Sequence, residues 1–146
     1  MTRRIAGISL SVCILLFLPA APCPAQPSAQ DSLAQAESLY MRSRFDQAVA
    51  VLNAAVEKDP HDAKAFFLRA DAHYNKQDFG AALSDLDTGL SLMPGHAQGY
   101  YNRAVVHYVM LDYDRAWDDA RRASALGYRL DPVFFEQLKE DSGRQQ

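Results

Sequence analysis

Apolar residues recur at intervals of three and four in six stretches of the chain, the spacing of one face of an α-helix. The pattern predicts helices over roughly 29–42, 46–58, 63–76, 80–93, 97–110 and 114–126. Local signals agree with these limits. Ser28 with Asp31 three residues on makes a capping-box pattern, Asp62 is placed to cap the third helix, and Gly127 can adopt the left-handed conformation that ends the sixth. A second, longer period of 34 residues lies over the first. Ala36, Ala70 and Ala104 keep it, as do Ala48, Ala82 and Ala116, and Tyr40, Tyr74 and Tyr108. Other columns keep type: Phe45, Phe79 and Tyr113 are aromatic, Ala55, Gly89 and Ala123 small, Val49, Leu83 and Trp117 apolar, and Pro60 and Pro94 close the first two units. A repeat at this spacing predicts an all-α solenoid of stacked helical hairpins.

The small columns let two helices approach to about 8–10 Å. Leu39, Leu52, Phe66, Leu86, Tyr100 and Trp117 are expected to fill the space beside them. Carried past the sixth helix, the same register puts Phe134 in the column of Phe66 and Tyr100, and Leu138 in that of Ala70 and Ala104. With Asp131 as cap and Pro132 in the first turn, 129–141 reads as a capping helix. Its polar residues Glu136, Gln137, Lys139 and Glu140 would end the stack in water, and 142–146 is expected to be a disordered tail.

The first 25 residues follow a different logic. Arg3 and Arg4 precede an apolar run from Ile5 to Leu18, then a small-residue and proline stretch from Pro19 to Ala25. That is the layout of a secretory signal peptide, and the apolar run is shorter than the ~20 residues a spanning helix needs. A cut after Ala25 would leave 26–28 as a short linker and no cysteine in the mature chain; cuts after Ala20 or Ala21 also fit. Cys23 raises lipid attachment as an alternative, but Ala20 and Pro22 are poor neighbours for it. The reading is therefore an exported protein, periplasmic or extracellular and bacterial, meeting a membrane only if the leader is uncleaved or Cys23 is lipidated.

Composition adds exclusions. With 49% hydrophobic and 23% charged residues the chain is an ordinary globular protein, not a disordered one. Its net charge of −3 becomes more negative once Arg3 and Arg4 are removed, the wrong sign for a nucleic-acid binder. No phosphate-cradling GxxxxGK, GxGxxG after a strand, HExxH or paired CxxC occurs, and Asp118 and Asp119, or Asp85 and Asp87, read as helix-surface carboxylates rather than an acid/base pair. No catalytic residue, cofactor or metal is expected. One correlation stands out: Arg69 and Arg103 share a column, sixteen residues before Asp85 and Asp119, while the first unit has Gln35 and Val51 in those places. Charges present together or absent together predict partly buried ion pairs, Arg69 with Asp85 and Arg103 with Asp119, because a lone buried charge is costly.

The 34-residue unit resembles the tetratricopeptide repeat, with matches at the alanine of the second helix (Ala48, Ala82, Ala116), at the small residue near its end (Ala55, Gly89, Ala123) and at the closing prolines. Three units, 29–62, 63–96 and 97–128, carry the resemblance. It implies a right-handed superhelical solenoid whose first helices line a concave peptide-binding groove. The positions carried over are Leu33, Phe67 and Tyr101 in one row, Glu37, Asp71 and Val105 in the next, and Tyr40, Tyr74 and Tyr108 in a third bordered by Met41, Asn75 and Val109. An aromatic groove with an acidic edge suits an extended or helical peptide with apolar anchors and a Lys or Arg. His73 and His107 take the register of a packing tyrosine in the family, which makes them satisfied structural histidines rather than zinc or copper ligands. The clamp with which chaperone-binding members hold a terminal carboxylate maps onto Leu33, Glu37, Leu68, Gln98 and Asn102, a set unsuited to it. The implied function is a non-enzymatic protein–protein interaction scaffold; the alternative is a self-association module forming a homo-oligomer.

Overall fold

The computed structural model describes residues 28–143. The expected signal peptide, the Cys23 site, residues 26 and 27 of the expected linker and the last three residues of the expected tail lie outside them. Seven helices and no strand are present among the described residues: α1 (Ala29–Met41), α2 (Phe45–Lys58), α3 (Ala63–Asn75), α4 (Phe79–Leu92), α5 (Ala97–Val109), α6 (Tyr113–Ala125) and α7 (Pro132–Ser142). None of them is long and apolar enough to cross a membrane.

Each of the first six helices lies within a residue of the limits that periodicity sets. Their starts are held by side chains. Ser28 and Asp31 form the reciprocal capping box, with Ser28 Oγ accepting from the Asp31 amide and Asp31 Oδ2 accepting from the Ser28 amide, both at 3.1 Å. Asp62 accepts from the Lys64 amide, Asp78 from that of Ala81, Asp112 from that of Arg115 and Asp131 from that of Val133. At the start of α5 the cap is an imidazole: His96 Nδ1 accepts from the Gly99 amide at 3.1 Å. Arg44, ahead of α2, makes no such bond.

The turn inside each unit repeats one geometry. Ser43, Gln77 and Leu111, 34 residues apart, all have positive φ (57°, 62° and 62°). Around them Arg44 N–H donates to Leu39 O, Asp78 N–H to His73 O and Asp112 N–H to His107 O, each at 2.9 Å. That is a Schellman stop, which reverses the chain and starts the second helix of the unit at once. Gly127, at φ 86°, ends α6 in the same way, with Tyr128 N–H donating to Ala123 O.

Pairs α1/α2, α3/α4 and α5/α6 pack as hairpins, the hairpins stack in order, and α7 closes the stack against α6. The interior is a row of three apolar clusters. Ala36, Leu52, Ala55 and Ala65 form the first; Ala63, Phe67, Ala70, Ala82, Leu86, Leu90 and Val106 the second; Ala104, Ala116, Trp117, Ala120, Phe134 and Leu138 the third. Each contains residues from neighbouring units, so no hairpin buries its apolar face alone. Of the six expected filling residues, Leu52, Phe66, Leu86 and Trp117 are buried, while Leu39 and Tyr100 stay half-buried.

Candidate functional site

Stacking brings the first helices α1, α3 and α5 side by side, with α3 in contact with both others. Between them lies a pocket of about 410 Å³, lined by Tyr40 from α1, by Ala70, Asp71, Tyr74 and Asn75 from α3, by Gln98, Tyr101, Asn102, Val105 and Val106 from α5, and by Leu86 beneath. Its size is that of a side-chain or small-ligand site.

The walls are fixed from behind. Tyr40 and Tyr74 each pack on the aromatic residue that opens the next helix, Phe45 at 5.5 Å and Phe79 at 5.8 Å between ring centres. These tyrosines therefore both support packing and face the groove. Tyr101 stacks on Tyr128 at 4.8 Å and meets Phe134 edge-on at 5.4 Å, and burial raises its phenol pKa. Asn75 Nδ2 donates to Tyr40 Oη at 3.1 Å and to the Asp71 carbonyl at 2.8 Å, tying α1 to α3.

Asp71 is the one acidic group lining the pocket. Its Oδ1 accepts from Asn102 Nδ2 at 2.8 Å. Burial pushes its carboxyl up to about 6, and the Asn102 bond offsets only part of that rise. No Lys, Arg or His lines the pocket.

Of the expected groove residues, the structure brings together Tyr40, Asp71, Tyr74, Asn75, Tyr101 and Val105. Four others lie elsewhere. Phe67 is buried at 8% exposure and stacked on His96 at 4.2 Å. It points between α4 and α5, where Gly89 and Gly99 leave it room: a Cβ added at either would come within 2.7 or 2.8 Å of the ring. Leu33 packs against the first apolar cluster, and Glu37 is exposed on α1 outside the pocket lining. Tyr108 is taken by the capping helix, its ring edge-on to Phe134 at 5.6 Å and its hydroxyl donating to Asp141 Oδ2 at 2.6 Å. Gln98 and Asn102 complete the pocket, yet periodicity alone marks neither as a wall, because they become neighbours of Asp71 only once α5 stacks on α3.

Behind the groove, Arg69 and Arg103 each reach two helices. Arg69 Nε and Nη2 donate to Asp85 Oδ2 and Oδ1 at 2.8 and 2.6 Å, and its Nη1 donates to Asn53 Oδ1 at 2.9 Å. Arg103 repeats this with Asp119 at 2.7 and 2.8 Å and with Asp87 at 2.6 Å. The planar fork suits such bidentate pairing. The acceptors Asn53 and Asp87, one period apart, make each arginine a bridge to the preceding unit, which spacing within a unit does not reveal.

The two histidines sit in different surroundings. His107 is buried, and desolvation lowers its pKa against the pull of Asp119, whose Oδ2 lies 3.9 Å from Nε2. His73 Nδ1 is buried without a hydrogen bond, and Asp78 Oδ2 stands 3.5 Å from it. No group of three or more His, Cys, Asp or Glu converges among the described residues.

Residues 33–90 match the family model of the tetratricopeptide repeat. Those residues carry the tetratricopeptide repeat, and the helices that follow continue its fold. Solved tetratricopeptide-repeat domains share the fold of this chain. The domain of Arabidopsis OM64 is similar with a TM-score of 0.74 at 18% identity, over 77% of this chain and 94% of that one. The first repeat domain of Spaghetti (RPAP3), bound to the HSP90 peptide SRMEEVD, gives 0.72 at 18% identity over 79% and 90%. The TPR2B domain of yeast Sti1, in a complex with Hsp70, gives 0.70 at 18% identity over 81% and 98%. No curated protein matches the sequence.

Proposed function

We propose that this tetratricopeptide-repeat protein is a non-enzymatic interaction module that takes a peptide segment of a partner protein along α1, α3 and α5, and that it acts outside the cytoplasm after export through residues 1–25. The observation that carries the reading is the preformed pocket whose walls come from all three units. The repeat domains of RPAP3 and Sti1, described in complex with HSP90 and Hsp70 ligands, support peptide capture as the use of such a fold. The charge here differs from a carboxylate grip, because Leu33, Glu37, Leu68, Gln98 and Asn102 stand at the five places of the clamp and supply no cation. A terminal carboxylate would meet Asp71 instead.

The test is a photo-crosslinking amino acid placed either at Gln98, exposed in the pocket lining, or at Ala54, exposed on α2 outside it. In the native cell, mass spectrometry is expected to find one partner segment crosslinked from Gln98 and none from Ala54. Equal crosslinking from both positions overturns the groove reading, and crosslinks from Gln98 only to a second copy of the chain replace it with self-association.

A further inference from the structure

Resting on that groove reading, we infer that the pocket selects a lysine or arginine side chain of the partner segment, with Asp71 as its anion and the rings of Tyr40, Tyr74 and Tyr101 as its walls. The Asp71 carboxylate in the pocket lining has a single side-chain donor, Asn102 Nδ2 at 2.8 Å, where an ionised carboxylate accepts several. It makes no ion pair among the described residues. Three cations on or beside α3 and α5 are engaged elsewhere: Lys76 with Asp46, Arg69 with Asp85, Arg103 with Asp119 and Asp87.

The remaining ionisable groups at the pocket are Tyr40, Tyr74 and Tyr101, and α1 carries Glu37, an exposed acid outside the lining. All are neutral or acidic partners for a cation. Aromatic faces beside a carboxylate stabilise an ammonium or guanidinium by cation–π attraction as well as by charge, and the apolar stem of the side chain gains cover from Val105 and Ala70. An uncharged polar anchor would gain neither contribution. Burial pushes the Asp71 carboxyl up to about 6, and an arriving cation would draw it back down, so contact is worth more here than at a solvated carboxylate.

A random nonapeptide library displayed on phage is selected at pH 7.5 against the purified chain and against Asp71→Asn, with thermal melting confirming that both fold. Lys or Arg is expected at one fixed position with the unaltered chain and at none with Asp71→Asn, while apolar positions are common to both. Replacing that basic residue by norleucine in a selected peptide is expected to weaken binding about tenfold to the unaltered chain and not at all to Asp71→Asn. A consensus without a basic residue, or one that keeps it with Asp71→Asn, overturns the cation site and leaves the groove standing. No selectable peptide with either protein overturns the groove reading itself.

Discussion

Burial of Asp71 disfavours its charged form, pushing its carboxyl up to about 6 in the folded chain from an ordinary 3.8. Between those two values the folded state binds more protons than the unfolded one, and stability falls as pH rises; above about 6 the full penalty remains. Asp71→Asn keeps an oxygen for Asn102 and removes the charge. It is expected to raise stability at pH 7.5 by about 1 kcal/mol after discounting for partial exposure, or about 4 °C in melting temperature. The gain should vanish by pH 4, and differential scanning calorimetry at the two pH values checks it. Residue identity shows why Asp71 was legible in the sequence and Phe67 was not. The 34-residue register places both on the inner side of α3, but the direction of Phe67 depends on the room beside Gly89 and Gly99 in two other helices. A column of positions carries no information about such a gap.

At the level of elements, helix identity and extent were readable because a 3.6-residue apolar period and its caps are local properties. The turns were not. The left-handed positions fall on Ser43, Gln77 and Leu111, none of them the glycine or asparagine that signals such a conformation, and the geometry is imposed by the close packing of two helices in each unit. The second helices also start unequally: Asp78 and Asp112 cap α4 and α6, whereas the matching residue before α2 is Arg44. Arg44→Asp is expected to supply the missing acceptor and stabilise the chain by about 1 kcal/mol, with Asp78→Ala shifting stability by a similar amount the other way. Urea denaturation of the two variants against the unaltered chain measures both effects.

Across the whole molecule, units are joined by shared apolar clusters and by the two arginines. The pairing of Arg69 with Asp85 and of Arg103 with Asp119 was legible because the first unit lacks both members at once, a correlation that a purely solvated charge would not need. Removing one member leaves the other buried and unpaired, so Arg69→Gln alone is expected to cost about 3 kcal/mol. Adding Asp85→Val, which copies the residues of the first unit, should recover a large part of that loss. A double-mutant cycle by chemical denaturation is the check, and strictly additive effects would mean that the pair carries no coupling. The groove was legible only as a face. Its floor and its edges depend on which side chains α7 and the stacked glycines claim first, and those claims are settled between units rather than within one.

The second bond of each arginine gives the stack a direction. Arg103 holds the middle hairpin through the carboxylate of Asp87, but Arg69 holds the first one only through the neutral amide of Asn53. Both bonds are charge-assisted through the guanidinium, but only the one to Asp87 joins two ions. The joint at the amino end relies for its ion pair on Lys76 with the more exposed Asp46, so α1 and α2, beside Tyr40, are expected to fray first on heating, and a bound guest would do most of its bracing there.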